Sequence, residues 1–247
     1  MSNFVQQQHS ICNFSNEESW VILFPIEQSI KHKIESVGTP LKDWDIQIYR
    51  GVLTGYNEAF IISTEKREEI LAKCETEEER EKTAELIRPI LRGRDIKRYG
   101  YDWANLWLIN THNGVKGVMP RVDIMEYPAL KAHLDQYWDK ISKRADKGDT
   151  PYNLRNCAYL EDFFKPKVMY PNMTKYLPFY YDEKGFYQND KSFMITGTNV
   201  AYLTAFLNSS LFKFCFLNNF PELLGGTREL RKIFFDKIPV LEVDDNT

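Results

Sequence analysis

The stretch PILRGRDIKRY, residues 89–99, decides how this chain is read. Arg92, Arg94, Lys97 and Arg98, with Arg88 just upstream, set five cations against one acid, Asp95. Gly93 lies among them, where a bent backbone lets neighbouring amides and side chains face one way. A strongly acidic, helix-like run precedes the stretch, and the aromatic, strand-like YGYDWANLWLIN follows it. Basic density at a bend between two ordered elements is what a phosphate-facing surface needs. A solvated loop with ordinary surface charge fits the same residue types equally well.

The charge around this stretch is uneven. Formal net charge is −3, which argues against a simple polyanion-binding protein. Acids dominate from Glu65 to Glu85, whereas Leu86 to Lys175 hold 16 Lys plus Arg against 10 Asp plus Glu. Screening limits surface charges to a reach of about 10 Å, so the local balance matters more than the sum.

Working outward, a helix capped at Thr76, with Glu79 completing a capping box, is predicted to run to about Ile90 and deliver the chain to the basic stretch. Thr64 caps a shorter helix through Leu71. Before these, GVLTGYNEAFII (51–62) reads as a glycine-flanked turn and a buried strand over Ala59 to Ile62. Its glycines either carry amides towards a phosphate or simply turn a hairpin. Pro25 opens an amphipathic helix over 25–37, stopped by Gly38, and Trp44 to Tyr49 alternates as a strand. Trp20 to Phe24 reads as a short strand, and residues 1–19 as a polar lead-in.

Downstream, Trp103 to Asn110 reads as a strand and Pro128 opens a long helix with Leu130, Leu134, Tyr137, Trp138 and Ile141 on one face. Lys140, Lys143, Arg144 and Lys147 fall in its last turns, where the helix dipole favours cations. PKVMYPN, LPFYYDEKGFY and SFMIT read as successive strands with DEKG as a turn, and Asn199 to Phe220 as an apolar, deeply buried helix. The fold class expected is α/β (α+β): a twisted mixed sheet or partial barrel flanked by helices, with a C-terminal helical support.

Several chemistries have no support. Cys12, Cys74, Cys157 and Cys215 form no CxxC pair and have no His at ligand spacing, so neither a zinc site nor a disulfide framework is expected. No Walker loop and no Gly-x-Ser-x-Gly elbow is present. His9, His32, His112 and His133 are scattered. Asp162 with Asp182, Glu183 and Lys184 suggests a metal-dependent nuclease, but Asp182 to Lys184 reads better as a hairpin tip. No apolar run approaches a membrane span and no signal peptide is visible, so a reducing, cytoplasmic setting is expected.

The order of landmarks is similar to a known family. GTPL (38–41), GVLTGYNEAFII (51–62), RPILRGRDIKRY (88–99), LIN (108–110), YPALKAHL (127–134), PKVMYPN (166–172), YLTAFLNSSLFKF (202–214) and KIPV (237–240) follow one another. This series resembles the C-terminal specificity domain of TaqI-like adenine-N6 DNA methyltransferases, a domain also found in type IIG restriction–modification enzymes. The resemblance spans Trp20 to Val240 and implies a DNA target recognition domain over 20–247. In that family a separate domain binds S-adenosylmethionine and methylates a flipped adenine. Here no Asn-Pro-Pro-Tyr motif and no glycine-rich cofactor motif occurs, so the chain is expected to have no methyltransferase activity of its own. S-adenosylmethionine, and magnesium where cleavage occurs, would belong to missing catalytic domains.

The resemblance implies double-stranded DNA and a catalytic methyltransferase or endonuclease domain or subunit as partners. Phosphate contacts are assigned to Thr54, Gly55, Arg92, Arg94, Lys97 and Arg98, for each of which a structural job is the alternative. Base readout is assigned to the loops 111–121, 149–156 and 172–176, with Asn113, Arg121, Arg155 and Asn172 as named candidates. Two other classes of function stay open: a nuclease using Asp162 and Asp182, and a docking module that presents the aromatic strands of 166–193 to a partner subunit.

Overall fold

A computed structural model describes residues 23–243. In chain order its main elements are α1 (Pro25–Val37), β1 (Ile46–Arg50), α2 (Asn57–Phe60), β2 (Ile61–Ser63), α3 (Thr64–Ala72), α4 (Glu77–Leu86), β3 (Ile87–Leu91), β4 (Leu106–Ile109), α5 (Pro128–Asp135), α6 (Trp138–Ile141), β5 (Lys167–Pro171), β6 (Tyr180–Asp182), β7 (Tyr187–Gln188), β8 (Ser192–Gly197), α7 (Val200–Leu207), α8 (Ser210–Asn219) and α9 (Lys232–Phe235). The lead-in of residues 1–19 and most of the strand expected at Trp20 to Phe24 lie outside the described residues.

Two four-stranded sheets organise the fold. One is antiparallel in the order β6-β5-β8-β1; the other is mixed, in the order β7-β3-β4-β2, with β7 parallel to β3. Among the described residues no barrel closes, and the expected mixed α/β arrangement of sheets flanked by helices is present. The mixed sheet packs with α2, α3 and α5 around Phe60, Ile87, Leu108, Leu130 and Leu134. The antiparallel sheet packs on α7, α8 and α9 around Tyr170, Phe179, Leu203, Phe212 and Phe235, the expected C-terminal support. A smaller cluster, Leu91, Ile96, Met169, Tyr180 and Phe186, lies beneath the basic stretch.

Several local expectations change. Residues 57–60 form a helical turn, and the strand starts only at Ile61. Ser63, one residue before Thr64, caps α3 by accepting the Lys66 N–H at 3.3 Å. Thr76 caps α4, but Glu79 accepts the N–H groups of Glu75 and Ala129 instead of closing a box on Thr76. The helix stops at Leu86 because Ile87 to Leu91 pair with β4 and β7, so the basic stretch is fed by a buried strand. The long helix from Pro128 breaks between Asp135 and Trp138, and the apolar run 199–220 bends by 73° between α7 and α8. Among the described residues, no single helix is long and apolar enough to cross a membrane.

Arg144 departs furthest from expectation. It lies beyond α6, 7% exposed, and its two terminal nitrogens donate to the carbonyls of Thr54, Asp146, Pro151 and Asn153. Its guanidinium sits 4.4 Å from the centre of the Phe60 ring, and burial pulls its pKa down to about 10. Arg144 is therefore a clasp joining the 51–55 turn to the 146–153 loop, and not a cation on a helix dipole.

Candidate functional site

Between the two sheets the chain makes a bend whose geometry follows from Asp95. Its carboxylate accepts the Arg92 backbone N–H at 2.9 Å and both Nε and Nη2 of Arg92 at 2.8 Å. Asp95 is 4% exposed; burial alone would raise its carboxyl, but the Arg92 bonds and the nearby Arg94 charge hold it below the usual range. Gly93 is required for a different reason than conformational freedom. An added Cβ would stand 2.8 Å from the Lys191 carbonyl, so only glycine lets the bend lie against the backbone before β8.

That close approach shapes a cleft of about 1080 Å³. Its walls are the bend 92–98, the segment 171–178 after β5, the turn 189–191 and the first turns of α8. Among the described residues seven cations line it, Arg92, Arg94, Lys97, Arg98, Lys175, Lys191 and Lys213, and no acid does. Apolar side chains, among them Ile96, Leu177 and Phe216, complete the lining. Focused positive potential over a low-dielectric wall attracts polyanions.

The cations differ in how they are held. Arg92 is fixed on Asp95, and Arg98 donates to the Asn208 carbonyl at 2.8 Å, tying the bend to the α7–α8 corner. Lys97 donates to the Arg94 carbonyl and pairs with Asp102 at 3.6 Å, and Lys191 pairs with Asp190 at 3.1 Å. The Lys97–Asp102 pair is exposed, and such pairs contribute only ~0–1 kcal/mol, whereas Asp190 is half-buried and is also bound by Arg50. Arg94, Lys175 and Lys213 are exposed and have no side-chain hydrogen bond or ion pair among the described residues.

Of the phosphate candidates, the four from the basic stretch share the cleft, and Thr54 and Gly55 do not. Thr54 is buried, its hydroxyl donating to Asn57 at 2.6 Å and its carbonyl accepting from Arg144. Gly55 takes φ +69° where the turn passes Asp146. The structure thus gives both a turn-building role. Sequence reasoning missed Lys191 and Lys213, which stand alone in the chain; only the strand order and the Gly93 contact bring them to the bend. Lys175 fell within a nominated loop but carried no signal of its own.

The readout loops divide. Loops 111–121 and 149–156 meet: Leu154 donates to the Thr111 carbonyl at 2.8 Å, and the Thr111 hydroxyl donates to the Tyr152 carbonyl. Together they border a second cleft of about 810 Å³. At its root the Asn113 amide donates to the side chains of Asp149 and Asn156 and accepts the Asp149 N–H at 2.8 Å. Arg121 pairs with Asp149 at 3.5 Å and Arg155 with Asp146 at 3.2 Å. Asn172 lies instead in the basic cleft. A short ridge links the clefts: Tyr159, next to Ala158 of the second, donates to the Arg50 carbonyl, and Arg50 binds Asp190 beside Lys191 of the first.

The two other function classes meet buried side chains. Asp182 is fully buried, paired with the equally buried Lys167 at 2.6 Å and accepting the N–H groups of Lys184 and Phe186. It ends β6 and is not a hairpin tip. Asp162 binds Lys165 and Thr196. Among the described residues, no three His, Cys, Asp or Glu side chains are grouped to hold a metal ion. The aromatic residues Tyr170, Phe179, Tyr180, Phe186 and Tyr187 are core, Tyr181 and Phe193 are half-buried, and Tyr176 is 78% exposed, so most of the face a docking module would present is buried.

Comparison with known proteins adds three findings. The family model of the TaqI-like C-terminal specificity domain matches residues 88–240. Among solved structures, the type IIG restriction endonuclease BpuSI is similar with a TM-score of 0.57 and 17% identity, over 90% of this chain and 26% of that one. The type IIL restriction-modification enzyme MmeI, solved in complex with DNA, is similar with a TM-score of 0.51 and 11% identity, over 76% of this chain and 26% of that one. The chain thus spans about a quarter of each, and at these identities the likeness is one of fold. No curated protein matches the sequence significantly.

Proposed function

The chain belongs to the family of TaqI-like C-terminal specificity domains, and from that premise we propose that it is the double-stranded-DNA recognition module of a restriction–modification enzyme or adenine-N6 DNA methyltransferase. The observation that carries this reading is the cleft that, among the described residues, is lined by seven cations and no acid. Arg94, Lys175, Lys191 and Lys213, with Lys97, face the phosphates, and Arg92 and Arg98 hold the bend that presents them. The capped N-terminus of α8 adds the positive end of its dipole beside Lys213. Phosphate contacts of this kind position a protein on the duplex, and the loops around the second cleft read sequence.

Catalysis belongs to a partner domain or subunit in this proposal, and S-adenosylmethionine and any magnesium bind there. A cytoplasmic setting follows from that task. The test is lysine acetylation footprinting with and without duplex DNA. Lys175, Lys191 and Lys213 become protected, whereas Lys33 and Lys237, outside the cleft, react as before. Equal reactivity of all five lysines in the presence of saturating duplex would contradict the proposal.

A further inference from the structure

We propose that the hairpin over Val115 to Met119 reads base edges in the major groove, with Lys116 and Val118 as specificity-determining side chains; this rests on the DNA-recognition reading above. Of the residue types best suited to bases in this loop, Asn113 is held at the hairpin's root, and Arg121 lies beyond the tip in an exposed pair with Asp149. Asn113 clasps the 149–156 loop with three hydrogen bonds. Gly114, at φ +73°, is packed so closely that a Cβ would stand 2.5 Å from the Met119 carbonyl and 2.7 Å from the Arg121 nitrogen. The root is therefore rigid.

The tip is bare. Val115 and Met119 exchange both backbone hydrogen bonds at 2.9 Å, and Val118 donates to the Val115 carbonyl at 3.0 Å. Gly117, at φ +78°, supplies the left-handed residue such a turn needs, and a Cβ there would meet nothing within 4 Å. Val118 is 66% exposed, and Lys116 is exposed with no side-chain partner among the described residues. The major groove admits elements as wide as a two-stranded ribbon, so this single-bridge turn fits it, and a pre-organised root holds its tip in register. A lysine ammonium there reaches the O6 and N7 acceptors of guanine, and an apolar side chain packs on the thymine methyl. The inference is that the finger's polar root is a scaffold and its two-sided tip, one cation and one isopropyl, is the reader.

The test is selection of binding sites from a random duplex library with the full chain. Wild type, Lys116→Ala and Val118→Ser are compared with Lys213→Ala from the basic cleft. Lys116→Ala keeps its affinity for random duplex within about 3-fold, as for loss of at most one phosphate-like contact. Its preference for one guanine falls by roughly 10-fold or more. Val118→Ser relaxes a thymine preference at a neighbouring base pair. Lys213→Ala weakens all sequences alike and leaves the selected site unchanged. Selection of an undiminished wild-type site by both Lys116→Ala and Val118→Ser overturns the proposal, as does wild-type binding with no base preference. Absence of salt-sensitive duplex binding by wild type overturns the underlying reading together with it, which distinguishes the two failures.

Discussion

Replacing Arg144 by methionine isolates the clasp that joins the 51–55 turn to the 146–153 loop. Methionine keeps an unbranched apolar stem but removes every donor and the guanidinium that sits over Phe60. Four carbonyls lose a partner, but that of Asn153 also accepts the Gly148 N–H at 2.9 Å and stays satisfied. Among the described residues, the carbonyls of Thr54, Asp146 and Pro151 are left with no other donor. The Thr54 carbonyl is buried and costs ~1–3 kcal/mol, the half-buried Asp146 and Pro151 carbonyls cost less because water reaches them, and with the Phe60 contact the gross loss is roughly 3–6 kcal/mol. Removing a buried charge whose pKa is already pulled down by desolvation offsets part of this, leaving a net loss of about 3 kcal/mol. Equilibrium urea unfolding reads this as a midpoint lower by about 1 M for an m-value near 3 kcal/mol/M. Arg144→Lys keeps the charge without the planar fork and recovers less than half of the loss. A midpoint for Arg144→Met within about 0.3 M of wild type, or full recovery by lysine, would refute the clasp.

Gly93→Ala puts a Cβ 2.8 Å from the Lys191 carbonyl; a loss of ~1–3 kcal/mol in urea unfolding is expected, with weaker duplex binding as the cleft wall moves. Asp182→Ala strands the buried Lys167 ammonium and is expected to cost ~3–5 kcal/mol, whereas Lys167→Met/Asp182→Leu together recover part of that loss, the N–H groups of Lys184 and Phe186 staying unpaired; equal thermal midpoints for single and double variants would contradict a buried pair. His133, buried with Nε2 at 3.0 Å from the Ala59 carbonyl, has its pKa lowered by burial. Above the ordinary histidine value both folded and unfolded states are neutral; as pH falls below it the unfolded chain takes up the proton first, so stability declines towards the lowered folded pKa. Urea midpoints measured from pH 7.5 to 5 therefore fall less for His133→Gln than for wild type.

The sequence made the core legible wherever apolar spacing was regular. The helix opened by Pro25, the strands at 167–171 and 192–197, and the apolar support after Asn199 all form where their patterns place them. It was less informative where a tertiary partner decided the outcome. Ile87 to Leu91 are strand because β4 and β7 flank them, although the preceding acidic run favours helix. Arg144 looked like a helix-end cation because nothing local marks the four carbonyls that surround it. The basic stretch itself was visible as a charge cluster, but its cleft was not. Lys191 and Lys213 reach it only through strand order and one glycine contact. Asn113 and Arg121 were chosen by residue type, and residue type does not show that a neighbouring loop already holds them.

The central claim, that the basic cleft grips DNA phosphates, is tested most directly by the salt dependence of duplex affinity. The logarithm of the association constant falls linearly with the logarithm of salt, by about 0.9 for each phosphate neutralised. Wild type and Arg94→Ala/Lys175→Ala/Lys213→Ala, the three cations without a side-chain partner, are to be measured on one duplex across a salt series. The account predicts a steep slope for wild type and one shallower by roughly 2.7 for the triple variant. Identical slopes for the two proteins would contradict it.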